Sequence, residues 1–196
     1  MDTEPRTGCA IILHGPIGGG KTTTARDVAE RIRRSGHRVM GILSIRVPDN
    51  EAPPSYDITD LETGRSFPHV KPREKTNADS DDWESFGNPV FTFSKKGLAE
   101  ANSILTRASQ DLGHGAVVFV DEYGRLESRG LGIHIGFTSV VESLRRGGLA
   151  LILCRDDKVS ELKSTLERSG IDNVSALEAG DPERVWKIVK RHLGTP

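Results

Sequence analysis

Eight consecutive residues near the amino end, Gly15-Pro-Ile-Gly-Gly-Gly-Lys-Thr22, restrict what this chain can fold into more than any other segment. They follow a short unbroken apolar run, Cys9-Ala-Ile-Ile-Leu13, of the kind that forms a strand buried on both faces of a parallel sheet. They precede a stretch in which Ala25, Val28, Ala29 and Ile32 recur at helical spacing among charged residues, an amphipathic helix ending near Gly36. Strand, glycine-rich turn and helix in that order satisfy the G-x-x-x-x-G-K-[ST] pattern. Its glycines let the backbone curl until successive N–H groups converge on a phosphate, and the positive end of the helix dipole faces the same anion.

The rest of the chain extends this beginning into a layered domain. Arg38–Leu43, Ala116–Val120 and Leu149–Cys154 read as further buried strands. Helical spacing marks Leu98, Ala101, Leu105, Ala108 and Leu112, then Phe137, Val140, Val141 and Leu144, then Val159, Leu162 and Leu166. Asp181-Pro-Glu183 combines an N-cap, a first-turn proline and an early acid, and opens a last helix carrying Val185, Ile188 and Val189. Two alternating runs, Tyr56–Leu61 and Arg65–Val70, flank a glycine-containing turn and read as a β-hairpin. Residues 71–88 are polar and almost without core residues, which predicts a mobile insertion. The expected fold is a three-layer α/β/α P-loop NTPase domain spanning 1–196, with a mainly parallel central sheet and a β-hairpin extension.

Within that frame the chemistry can be assigned residue by residue. The turn Gly15, Pro16, Ile17, Gly18, Gly19 and Gly20 supplies the amide cradle. Lys21 reaches the β- and γ-phosphates, and the Thr22 hydroxyl ligates Mg²⁺. A second acidic site lies where Val117-Val-Phe-Val120 ends in Asp121-Glu122, because the carboxyl edge of an open α/β sheet is where ligands bind. Asp121 is expected to share the Mg²⁺, and Glu122 to orient and polarise an attacking water. Arg125 suits either charge stabilisation at the γ-phosphate or a surface ion pair. Some P-loop kinases also carry an Asp-Glu pair, so the pair alone does not establish hydrolysis.

Other features narrow the possibilities. The 27 basic and 28 acidic side chains leave a formal charge of −1, which provides no global field for nucleic acid or an anionic membrane. Arg31, Arg33, Arg34 and Arg38 read as a solvated face. His14 and His134 lack metal-ligand spacing and read as core or loop residues. Cys9 and Cys154 sit in strand-like runs, as buried reduced thiols do. No apolar stretch is long enough to cross a bilayer, and the first residues lack a secretory pattern, so a cytoplasmic location is expected. Trp83 could stack on a base, and Trp186 reads as packing.

Taken together, these segments resemble the small P-loop nucleoside-triphosphatases first described from thermophiles, which include the vertebrate cancer-related nucleoside-triphosphatase. Gly15–Thr23 is similar to that family's opening, Ser35–Gly41 to its second strand, and Tyr56–Leu61 to the hairpin strand that follows. Val120-Asp-Glu-Tyr-Gly-Arg-Leu-Glu127 matches its most specific motif. The resemblance implies Mg²⁺-dependent hydrolysis of triphosphates with little base preference. It also implies nucleotide contacts along Gly15–Thr23 and at Val117, Val118, Phe119, Val120, Asp121, Glu122, Tyr123 and Gly124, with Arg125 and Glu127 near the phosphates. The chain departs from the family at Ser44–Val47, where a glutamate is missing, at the acidic stretch 77–85, at Tyr123, at Leu131–Gly136 and at Cys154–Asp157.

Three functional readings follow: a nucleoside-triphosphatase acting on ATP or GTP, a small-molecule kinase that uses 71–88 as a lid, and a nucleotide-dependent switch for a protein partner. A typical small GTPase is disfavoured, because no Asn-Lys-x-Asp segment is present.

Overall fold

Apolar runs without alternation end up where both faces of a strand are covered, and here they form the middle of one sheet. The computed structural model describes residues 8–48, 52–76 and 81–194. Its strands are β1 (Cys9–His14), β2 (Val39–Arg46), β3 (Tyr56–Asp60), β4 (Ser66–Pro72), β5 (Trp83–Glu84), β6 (Phe91–Ser94), β7 (Val117–Tyr123), β8 (Leu149–Cys154) and β9 (Asn173–Glu178). They pair in the order β5-β6-β4-β3-β2-β7-β8-β1-β9. The segment β2-β7-β8-β1-β9 is parallel, and β3 to β6 extend it as antiparallel strands.

Helices cover both faces. Ile11, Leu13, Phe119 and Leu151 pack with Val28 and Ile32 of α1 (Lys21–Arg34) and with Val185 and Val189 of α5 (Pro182–Leu193). Their neighbours Ile12, Val118, Val120 and Ile152 point the other way. They meet Leu105 of α2 (Lys95–Asp111), Val140 of α3 (His134–Leu144) and Leu162 of α4 (Val159–Arg168). The expected three layers are therefore present. The Asp181 carboxylate caps α5 by accepting from the Arg184 N–H at 3.0 Å, with Pro182 in the first turn. Trp186 packs against the α1–α5 core.

The hairpin at 56–70 is one part of a larger antiparallel extension. Of the stretch read as a mobile insertion, Lys71 and Pro72 complete β4, and Trp83 and Glu84 pair with β6. Lys71 Nζ lies 5.1 Å from the centre of the Trp83 ring, and Asp82 accepts from the Lys96 N–H at 3.0 Å. Residues 77–80 lie outside the described residues. The basic residues after β1 behave as a solvated face: Arg31 pairs with Asp27 and Glu183, Arg34 with Glu30, and Arg38 with Glu62 and Asp111. Cys9 and Cys154 are free and buried, and burial pushes their thiols up to about 11 and about 12. No helix among the described residues is long and apolar enough to cross a membrane.

Where β2 passes β7, Gly41 pairs with Phe119, with φ at 94°. A Cβ at this position would lie 2.0 Å from the Phe119 carbonyl oxygen. Two backbones meet here with no room for a side chain, in a conformation that L residues avoid. Gly41→Ala is expected to cost roughly 3 kcal/mol of stability. A urea midpoint equal to that of the wild type would contradict this.

Candidate functional site

Neighbouring strands β1 and β8 lead to opposite faces of the sheet, β1 into α1 and β8 into α4. Their carboxyl ends therefore open a crevice, the topological switch point of an open α/β sheet. The turn 15–20 lies at this opening. Gly20 is left-handed (φ 78°) and occupies the N-cap of α1, so no side chain caps the helix, and its first turn carries no acid. The amide end of α1 is thus left for an external anion. Lys21 Nζ donates to the carbonyls of Gly15 and Pro16, each at 2.8 Å, which folds the ammonium back over its own turn.

Across the crevice, β7 ends in a bulge. Val120 pairs with Ile152 and Tyr123 with Cys154, so one extra residue is accommodated at Asp121–Glu122, and Glu122 takes φ 73°. A left-handed non-glycine residue costs on the order of 1–2 kcal/mol. In a regular strand consecutive side chains point to opposite faces; with the bulge, Asp121 and Glu122 both line the same cavity. Asp121 is 5% exposed. Its Oδ2 accepts from the Ser44 N–H at 2.9 Å and, more weakly, from the Thr22 hydroxyl at 3.4 Å. Glu122 has a half-exposed side chain, and its Oε2 lies 3.6 Å from Nε2 of the buried His69.

The two carboxyls are pushed in opposite directions. Burial, then the charge of Glu122, lifts Asp121 to about 7 against the Ser44 amide, the Glu122 amide and Lys21. Burial also pushes Glu122 upward, but His69 outweighs it with help from Ser44 and Lys21, and the group ends below its ordinary range. A nearby cation would favour the ionised form of this carboxylate. Together with the adjacent Thr22 hydroxyl it presents hard oxygen donors that suit Mg²⁺. No cluster of three or more His, Cys, Asp or Glu side chains fit to hold a metal occurs among the described residues. A cation here would depend on phosphate oxygens and water for its other ligands.

The cavity in front of these residues measures about 600 Å³. Ile17, Gly18, Lys21 and Thr22 reach it from the phosphate turn, and Asp121, Glu122, Tyr123, Gly124 and Arg125 from β7 and its exit. Gly15, Pro16, Gly19 and Gly20 form the body of the turn, while Thr23 is exposed on α1. One expectation is corrected: Val117, Val118, Phe119 and Val120 have no exposed surface. They are core residues at the centre of the sheet, and β7 offers a ligand its end alone. Glu127 borders the same cavity. Its buried carboxylate accepts from the N–H groups of Gly124 (2.9 Å) and Ile133 (3.0 Å), tying down the loop after β7, and burial raises its pKa. His14 pairs with Asp156 at 2.8 Å, and Trp83 borders a second, smaller cavity.

Sequence reasoning missed the far wall. Ser44, Tyr56, His69, Phe91 and Phe93 come from β2, β3, β4 and β6. The available signal was that Tyr56 opens the first alternating run and His69 lies near the end of the second, so that a hairpin brings both to one edge.

In the metal-free protein, folding raises Asp121 from the ordinary carboxylate range to about 7. The folded state therefore holds a proton that the unfolded state releases between about pH 4 and 7, and stability falls as pH rises through that window. Asp121→Asn is expected to raise the metal-free Tm by roughly 5 °C near pH 8, with a smaller gain near pH 5. A Tm difference that does not change with pH would show that the buried charge is not the cause.

Comparison with known proteins agrees with this geometry. The sequence model of the NTPase family matches residues 10–169. THEP1 from the hyperthermophile Aquifex aeolicus superposes with a TM-score of 0.63 at 18% identity, over 93% of this chain and 99% of that one. A human cancer-related nucleoside triphosphatase superposes with a TM-score of 0.65 at 17% identity, over 93% of this chain and 96% of the other. No curated protein sequence matches significantly. The family resemblance drawn from the motifs and the expected α/β fold are both borne out.

Proposed function

This chain belongs to the NTPase family, and on that premise we propose that it is a Mg²⁺-dependent nucleoside-triphosphatase of the cytoplasm that converts ATP, GTP and related triphosphates to diphosphate and phosphate. One observation carries the reading. The uncapped amide end of α1, with Lys21 beside it, opens on the same cavity as Asp121 and Glu122.

The turn Gly15–Gly20 would bind the β-phosphate through its amides. Lys21 would leave the carbonyls of Gly15 and Pro16 for the β- and γ-phosphates, exchanging two neutral acceptors for charged ones. Thr22 and Asp121 would hold Mg²⁺, which would supply positive charge against the phosphates. Glu122, kept ionised by His69, would orient a water toward the γ-phosphorus and take its proton. Arg125, exposed at the rim, would stabilise charge on the departing γ-phosphoryl oxygens. Catalysis on this scheme is mainly positioning and electrostatic stabilisation.

Lys21→Ala is expected to abolish saturable triphosphate binding, measured by titration with a fluorescent analogue. Glu122→Gln is expected to keep binding while phosphate release falls roughly a hundredfold or more. Hydrolysis by Glu122→Gln at the wild-type rate would remove the proposed role in water activation.

A further inference from the structure

The cavity of about 600 Å³ beside Glu122 is lined from two sides. Ile17, Gly18, Lys21 and Thr22 face it from the phosphate turn, and aromatic residues face it from the antiparallel extension. The phosphate turn follows β1, which is two places from β7 in the sheet. Tyr56, His69, Phe91 and Phe93 come from β3, β4 and β6, beyond β7 in the opposite direction. A triphosphate that turns its last phosphate toward Asp121 and Glu122 leaves its base on the β1 side. The aromatic half of the cavity then lies past the terminal phosphate, where a nucleophile must approach.

That half has the marks of a ligand site. His69 and Ser44 line this half, and both side chains lie beside Glu122. Phe93 meets His69 and Phe86 edge-on at 6.0 and 5.8 Å, forming a firm wall for a planar ring beside Tyr56 and Phe91. Arg125 and Arg129 border the same space, and neither guanidinium has an ion-pair or hydrogen-bond partner among the described residues. A flat ring, polar ring edges and a dianion within one molecule fit these features together.

We propose that this half of the cavity is a phosphoryl-acceptor subsite for a nucleoside monophosphate, so that the chain transfers the terminal phosphoryl group to a second nucleotide as well as to water. Such transfer presupposes that Gly15–Thr22 holds the donor triphosphate as described above. An oxygen of the acceptor's dianionic phosphate forms a bond to the γ-phosphorus as the bond from that phosphorus to the β-bridging oxygen breaks. The electron pair stays on the donor's β-phosphate, two nucleoside diphosphates result, and no proton moves. Arg129 and Arg125 offset the repulsion between the two anions, and the aromatic wall takes the acceptor's base.

The experiment incubates the full chain with γ-labelled ATP, Mg²⁺ and, separately, AMP, CMP, GMP, UMP or dTMP, and resolves labelled diphosphate from free phosphate. Labelled diphosphate from at least one monophosphate is expected, with its KM raised roughly tenfold or more by Phe91→Ala and by Arg129→Ala. Release of free phosphate with no labelled diphosphate from any of the five overturns the acceptor subsite and leaves the hydrolase reading standing. In parallel incubations with the parent nucleosides, label transferred to a nucleoside and to none of the monophosphates overturns the monophosphate assignment. Failure to bind ATP at all overturns both readings, and titration with the fluorescent analogue identifies that case.

Discussion

A carboxylate taken out of water must find donors or a cation, and the surroundings of Asp121 follow from that requirement. The Ser44 amide donates to it from β2, the Thr22 hydroxyl approaches from α1, and Lys21 contributes charge from the same turn. These groups come from two segments far from β7 in sequence, and they reach Asp121 because β2 lies next to β7 on one side while β1, which leads into the turn, lies two places away on the other. The remaining electrostatic deficit holds the Asp121 pKa near 7. In the proposed mechanism a divalent cation completes this place.

How much of this was legible in the sequence depended on the range of the interactions. The turn between β1 and α1 was legible as local structure, because its requirements are local: an apolar strand, a curl of glycines and a helix start. The three layers were legible from unbroken runs such as Leu149–Cys154 and from the spacing of Leu98 to Leu112. Strand β9 was not, because Asn173–Glu178 lies at the sheet edge and buries only Leu177. Its polar composition reads as loop, and only pairing with β1 makes it a strand. Trp83–Glu84 was missed for the same reason. The bulge at Glu122 left no local sign at all: Val117–Glu122 reads as an even strand, and the displaced register appears only against β8. Including Val117–Val120 among ligand contacts treated a strand as a surface, when only its end emerges from the core.

The antiparallel extension gives the site its shape. A parallel sheet alone would leave Asp121 and Glu122 facing solvent across an open edge. Strands β3, β4 and β6 continue the sheet sideways, and because they run back and forth, the start of β3, the end of β4 and the start of β6 gather at the same edge as the parallel carboxyl ends. The insertion between β2 and α2 thus serves as a wall of the cavity. It also buries His69 beside Glu122, which lets the proposed water-handling carboxylate stay ionised next to a second acid.

The left-handed backbone at Glu122 sets chemistry against durability at one position. Glycine or asparagine would occupy φ 73° with less strain. Laboratory evolution that rewarded heat resistance alone would thus be drawn toward those residues at position 122, and each such replacement would remove the carboxylate the cavity is built around. On the proposed mechanism, sturdier descendants of this chain would accumulate there as mute scaffolds, well folded and catalytically idle.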